Sequence, residues 1–345
     1  MKKGFRWILA AVLAAIFAAG GVLAWGFYYD HRVPNFRGRA DLYVYPGMTV
    51  QEVCDSVLAK GNVLSRRSLA RAVAAEKVSV PKPGHYVLDG KMTSTYAARM
   101  LKKGWQVPVN LSLNGSIRSR RSLARKIASQ MLIDAETLEK QFDNEDFLAR
   151  FGVDTTSFFT LVIPDTYQIF WTEDASAILE RLRQAHDAWW TDERLALARA
   201  QNLTPEEVST LASIVDGETN YEPEMPLIAG VYLNRLREGM PLQADPTVAF
   251  CFGYSLSRIL KRHLAVDSPY NTYRYAGLPP GPISCPPKTC LEAVLHPQGH
   301  GYLYFCASPE FNGSHRFAAT YAEHLQNARA FQQELTRRQR ERAGK

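Results

Sequence analysis

Leu211-Ala-Ser-Ile-Val-Asp-Gly-Glu-Thr-Asn220, LASIVDGETN, starts like a buried helix and then places two carboxylates, Asp216 and Glu218, beside the apolar run. Upstream, Thr204-Pro205-Glu206-Glu207 is a helix start: Thr204 caps, Pro205 suits the first helical position, and Glu207 completes a capping box. The pattern predicts a helix from Pro205 through LASIV. Each helical residue advances about 100°, so Leu211, Ile214 and Val215 share an arc of about 100° that faces a core. Glu218 projects into that arc, and Asp216 lies about 160° away. The two acids therefore do not form a close pair while the helix continues. Asp216 takes the more solvent-like position and Glu218 is forced toward apolar surroundings. Desolvation raises a carboxyl pKa. A glutamic acid that keeps its proton near neutral pH can donate it to a leaving oxygen. Gly217 also suits a helix C-cap, and a helix ending there leaves Glu218 on the surface.

Downstream, Pro226–Gly239 (PLIAGVYLNRLREG) reads as a second helix, apolar nearly all round in its first half and so buried. Residues 242–287 are rich in Pro, Gly, Tyr and Asn, which fits ordered loops lining a groove. Gly301–Ala307 reads as a strand, and residues 316–342 return to helix with a basic, solvated end. Upstream, 119–201 is mostly helical, interrupted by an extended segment over 158–171, with one long helix predicted over 175–200. Trp189-Trp190 in that helix fits packing better than ligand binding. Strands are predicted over 40–45, 85–88 and 107–113, with helices over 49–60, from Ser65, and over 93–103, giving a small α+β unit. SRRSLAR occurs at Ser65 and again at Ser119, which reads as two serine-capped helix starts rather than a duplication.

The 345 residues carry 46% apolar and 22% charged side chains, as an ordinary globular protein does. The net charge of +7 sits partly at the ends, and no interior basic patch is interleaved with aromatics, so nucleic acid is a poor partner. Trp7–Tyr29 is uncharged and long enough to span a bilayer, with Lys2, Lys3 and Arg6 ahead of it and Trp25, Phe27, Tyr28 and Tyr29 at its far end. Small residues around Ala18, Ala19 and Gly20 keep a cleaved signal peptide open; the length of the stretch favours an anchor. Either way, the chain beyond about residue 30 is expected outside the inner membrane. Five scattered cysteines include Cys285 and Cys290, which are close enough in sequence to bridge, although spacing alone does not pair them.

The motifs LASIVDGET (211–219), GVYLNRL (230–236), LQADPTV (242–248), SPYNTY (268–273), GLPPGPI (277–283) and YLYF (302–305) occur in order, with PDTY at 164–167 upstream and His315 and Phe317 downstream. Together they resemble the endolytic murein transglycosylases of the MltG, or YceG-like, family. The resemblance runs from the N-terminal stretch to near Arg329. It implies an α+β protein with residues 1–30 as cytoplasmic N-terminus and transmembrane anchor, 31–39 as linker, 40–108 as a LysM-like subdomain, 109–335 as a YceG-like catalytic domain and 336–345 as a basic tail. It implies a single-pass inner-membrane protein with its bulk in the periplasm. The implied activity cleaves the bond between N-acetylmuramic acid and N-acetylglucosamine within glycan strands, leaving 1,6-anhydro ends, without metal or cofactor. A membrane complex with a glycan-polymerising synthase of the penicillin-binding type is an implied partner.

The family's catalytic glutamate maps onto Glu218. Asp216 stands where relatives usually carry glutamate. Asp245 is expected to stabilise an oxocarbenium-like state or orient an N-acetyl group, unless it serves only as a turn cap before Pro246. Gln243, Thr247, Asn271, Thr272 and Tyr273 are expected at the substrate, with Tyr270 and Tyr275 as further stacking surfaces. Asn234 suits local backbone, and Arg235 suits anchoring a loop or a substrate carboxylate. The chain departs from the family at Ser284-Cys285-Pro286-Pro287, where a glycine is usual, and at Gly217, where longer residues are usual. Three rivals stand beside this reading. One is a non-catalytic peptidoglycan-binding or division scaffold. Another is a muramidase that adds water. The third is a metal-dependent hydrolase using His296, His300, His315 or His324, which Pro297, Gly299 and the lack of an HExxH motif disfavour.

Overall fold

The computed structural model describes residues 2–343; Met1 and the end of the expected basic tail, Gly344 and Lys345, lie outside the described residues. The chain divides into two compact units. One takes in the chain up to Asn110 together with Gln168–Glu173, and the other takes in Leu111–Tyr167 and the chain from Asp174 on.

The first unit opens with helix α1 (Lys2–Arg32), whose residues 4–25 are all exposed. The segment Gly4–Arg32 is long and apolar enough to cross a membrane. The helix runs on past its aromatic end to Asp30, which is buried. The Asp30 carboxylate accepts bonds from Arg71 Nε (2.9 Å) and Nη2 (2.7 Å) and from Ser68 Oγ (2.6 Å). Asn35 and Phe36 are also buried, so the segment expected as a polar linker is in part packed into the unit.

Strand β1 (Arg39–Val44) pairs antiparallel with β2 (Gly84–Asp89), Leu42 opposite Tyr86. Helices α2 (Val50–Lys60) and α3 (Arg66–Ala75) lie between them in sequence and α4 (Ser94–Lys103) follows. The hydroxyls of Thr49, Ser65 and Thr93 cap the three helices, as their residue types dictate. Leu42, Val44, Val53, Val57, Leu69, Tyr86, Leu88 and Leu101 form the core, each side chain stabilising the fold by about 1.5–3 kcal/mol through burial. Strands β3 (Val109–Ser112) and β4 (Thr166–Ile169) lie where the chain passes from one unit to the other.

The second unit begins with α5 (Arg120–Ala128), α6 (Ala135–Phe142) and α7 (Glu145–Ala149). Ser119 caps α5 just as Ser65 caps α3, which accounts for the repeated SRRSLAR. The single helix expected over 175–200 is two, α8 (Ala175–Trp189) and α9 (Asp192–Ala200). Trp190 leaves the helical region, and Thr191 caps α9. Trp189 and Trp190 are both buried, edge to face at 4.7 Å, and pack as expected.

Helices α10 (Pro205–Glu218), α11 (Met225–Arg237), α12 (Asp245–Cys251) and α13 (Lys288–Leu295) follow. Leu211, Ile214 and Val215 of α10 share one core with Ile228 and Tyr232 of α11 and Leu291 and Val294 of α13. Strands β5 (Tyr304–Ala307) and β6 (His315–Ala318) form a hairpin, with Phe305 opposite Phe317. The last helix, α14, spans Tyr321–Ala343. Arg316, expected in that helix, belongs to β6, because four residues of backbone pairing outweigh the helical composition that follows. Cys285 and Cys290 do not bridge: Cys285 Sγ donates to the Val162 carbonyl at 3.1 Å, while Cys290 Sγ lies 3.6 Å from Met225 Sδ.

Candidate active site

The capping box at the start of α10 forms as the sequence dictates: the Glu207 amide donates to Thr204 Oγ1 at 3.2 Å, and the Thr204 amide donates to Glu207 Oε2 at 2.8 Å. The helix then holds its phase through Gly217 and ends on Glu218, with Thr219 extended. Gly217 is therefore not the stop. A Cβ there would fall 2.5 Å from Pro246 Cβ and 2.7 Å from Pro246 Cγ, so glycine lets the last turn of α10 close onto α12.

Glu218 is half-buried, and its Oε1 accepts a 2.5 Å hydrogen bond from the hydroxyl of Tyr232, which α11 holds in the core. Desolvation pushes the Glu218 carboxyl up to about 7; the Tyr232 bond and Arg235 oppose the shift, and the negative charge of Asp245 adds to it. Asp216 is half-buried, as Glu218 is, with Ser284 Oγ at 3.4 Å and Arg118 on the same cleft. Burial raises its pKa as well, with Arg118 and a 3.4 Å contact from Ser284 Oγ working the other way.

Both acids line one open cleft of about 670 Å³. Its far wall is the β5–β6 turn, residues 308–314, with Phe331 of α14 behind it. Tyr221 is 49% and Phe311 37% exposed, so two aromatic faces are available in this cleft. Phe311 stacks on Phe331 at 5.1 Å between ring centroids and is held in the left-handed region at φ +57°. The turn is tied down by the buried Glu224, whose carboxylate accepts from the His315 amide at 2.9 Å and lies 2.9 Å from His315 Nδ1.

The residues expected at the substrate fall into two groups. Gln243 and Asp245 are exposed, and Tyr273 is half-buried with its hydroxyl donating to Asp245 Oδ1 at 2.7 Å. Asp245 opens α12 but does not cap it; its partner is Tyr273. Gln243 holds φ +50° while its amide donates to the Thr272 carbonyl at 3.0 Å.

Thr247, Asn271 and Thr272, also expected at the substrate, are fully buried. Asn271 Nδ2 donates to the carbonyls of Leu264 (2.9 Å) and Val266 (2.7 Å), and its Oδ1 accepts from the Tyr273 amide at 3.1 Å. Thr272 Oγ1 accepts from the Ala244 amide at 3.0 Å and pairs with Thr247 Oγ1 at 2.9 Å. Their polar atoms are spent on fixing the loop that presents Gln243, Asp245 and Tyr273.

Tyr270 packs on Phe250 at 4.5 Å and lines a separate cavity, and Tyr275 bonds Asp267 at 2.6 Å. Asn234 Nδ2 donates to the carbonyls of His300 and Tyr302, both at 2.9 Å, and its Oδ1 accepts from Arg237 of the same helix at 2.8 Å. Arg235 is buried and anchors two loops, through the carbonyls of Leu303 (2.7 Å) and Leu242 (2.6 Å).

Sequence reasoning missed Tyr232, Tyr221, Phe311 and Arg118. For Tyr232 a signal exists: a phenol within a helix that is apolar nearly all round needs a partner for its hydroxyl. Tyr221 and Phe311 sit in irregular segments whose position depends on the hairpin, and no local pattern announces them.

A carboxyl poised near neutral pH at the edge of an open, aromatic-walled cleft defines a candidate acid-catalysis site on a mixed α+β scaffold. The chain belongs to the YceG-like family, whose model matches residues 42–330. Among similar proteins, the endolytic murein transglycosylase of Bacillus subtilis is 44% identical over 115 residues, covering 33% of this chain and 31% of that protein. The endolytic murein transglycosylase of Streptococcus pneumoniae strain R6 is 25% identical over 338 residues, covering 86% of this chain and 60% of that protein. The chain thus spans about a third of the Bacillus relative and 60% of the streptococcal one. A crystal structure of a yceG-like protein from Listeria monocytogenes matches with a TM-score of 0.54 at 25% identity, covering 84% of this chain and 99% of that one.

Proposed function

We propose that the chain is an endolytic lytic transglycosylase of murein, cleaving the β-1,4 bond from N-acetylmuramic acid to N-acetylglucosamine within glycan strands. The observation that carries this reading is the Glu218 carboxyl at about 7, on the cleft that also presents Tyr221 and Phe311. The protonated Glu218 gives its proton to the glycosidic oxygen as the bond to the anomeric carbon breaks. The muramoyl C6 hydroxyl closes onto that carbon, forming the 1,6-anhydro bond, and the Glu218 carboxylate takes the hydroxyl proton. No water enters, so a single acid-base residue completes the cycle where a hydrolase needs a second carboxylate. Intramolecular attack supplies the proximity advantage. Asp245, held by Tyr273, places negative charge near the developing oxocarbenium, and Tyr232 fixes the Glu218 carboxyl.

The strand–helix–helix–strand order of β1, α2, α3 and β2 supports a LysM-like, glycan-holding role for the first unit. The apolar α1 supports a single-pass anchor with the rest of the chain in the periplasm, where a glycan-polymerising synthase would be a natural partner. Product analysis on uncrosslinked glycan tests the reaction. Fragments one water lighter than hydrolysis products, ending in anhydro sugar, are expected; water-added fragments would make the protein a muramidase.

A further inference from the structure

Arg118 faces both the cleft that holds Glu218 and a second cavity of about 390 Å³ beside it. The second cavity is walled by the aromatic rings of Phe250, Tyr254 and Tyr270 and by Arg120. Arg120 is committed: it pairs with Asp143 at 2.8 Å and donates to the Thr155 carbonyl at 2.9 Å. Arg118 is exposed and rests on the Tyr254 ring, 5.0 Å from its centroid. That ring is in turn fixed, since the Tyr254 hydroxyl donates to the Ile283 carbonyl at 2.6 Å. Asp216 on the same cleft feels the Arg118 charge, but among the described residues Arg118 forms no ion pair within 4 Å. An arginine stacked on a fixed ring, with its guanidinium edge unused, is prepared for a carboxylate.

We propose that Arg118 and the cavity behind it form a side subsite for the carboxylate-bearing peptide that murein carries on its muramic lactyl ether. The inference rests on the glycan-cleavage reading and names a specificity element within it. A strand lying along the cleft would turn its peptide over the Arg118 edge into the aromatic-walled cavity. The subsite would then favour peptide-bearing strands over bare glycan.

The test uses the full chain and two forms of one substrate, uncrosslinked glycan with its peptides and the same glycan stripped by an amidase. Wild type is expected to show a kcat/KM ratio of about tenfold in favour of the peptide-bearing strands, the scale of one charge-assisted contact. In Arg118→Ala that ratio collapses toward one, and Arg118→Lys restores part of it. An unchanged ratio in Arg118→Ala, whatever the absolute rates, overturns the proposal. So does a wild type that does not discriminate. Binding of both strands to Glu218→Gln, with and without Arg118→Ala, yields the same ratio without turnover. A dead cleavage assay therefore counts against the transglycosylase reading, while equal binding of the two strands counts against Arg118.

Discussion

At the scale of single residues, the site is an argument about where one proton sits. Tyr232 donates to Glu218 and so favours the ionised carboxyl. Removing that donor in Tyr232→Phe should move the Glu218 pKa further up. Activity that needs the protonated acid falls as pH rises through about 7 in the wild type. In Tyr232→Phe this alkaline limb of kcat/KM shifts to higher pH, while the rate at the optimum drops as the carboxyl loses its tether. A pH–rate profile with an unmoved limb would remove Tyr232 from the account. The sequence made Glu218 legible because helical phase alone puts it over Leu211 and Ile214. It left the surroundings of Asp216 unread, because Ser284 and Arg118, which lie near it, are distant in sequence. Asn271 and Thr272 read as sugar contacts because amides and hydroxyls serve loops and ligands alike; in the fold both are buried and bond to backbone.

At the scale of elements, the close approach of α10 to α12 sets the geometry of the acid. Gly217→Ala puts a methyl into Pro246 and must push the last turn of α10 aside. Overpacking of this kind costs about 1–3 kcal/mol. The expected outcome is a lower melting temperature together with a clear loss of turnover, since the displaced turn carries Glu218. A variant with wild-type stability and rate would show that the packing is irrelevant to the chemistry. The start of α10 was readable from four residues, Thr204 to Glu207, because a capping box is local. The break between α8 and α9 was not, since the sequence between Ala175 and Ala200 has neither glycine nor proline to mark it. The β5–β6 hairpin escaped in part for a similar reason: its second strand is four residues long and runs almost directly into α14.

At the scale of the whole molecule, α1 is more than an apolar stretch long enough to cross a membrane. It continues through its aromatic end into the buried Asp30–Arg71–Ser68 network, so the apolar helix and the first unit share one packed junction. Cleavage near Gly20 would leave Asp30 and this junction in the mature chain, so the junction does not separate an anchor from a signal peptide; the proposed anchor rests on the length of the apolar stretch. A tag placed ahead of the chain should therefore stay with the membrane fraction after a carbonate wash; a tag lost by cleavage near Gly20 would reverse this. Composition and length announced the helix, while its docking onto α3 depends on Arg71, which looked like one of many surface arginines.

Purified Glu218→Gln measured beside Asp216→Asn decides whether Glu218 alone carries the proton. A folded-state pKa near 7, above the ordinary 4.5, means that the ionised Glu218 costs stability above about pH 7 and costs nothing at pH below 4.5. Glu218→Gln should therefore melt no lower than wild type at pH 8, which separates lost chemistry from lost folding. Formation of 1,6-anhydro ends should fall roughly 100-fold or more in Glu218→Gln while Asp216→Asn is mildly affected. Turnover that survives in Glu218→Gln, or vanishes in Asp216→Asn alone, would contradict a lone role for Glu218.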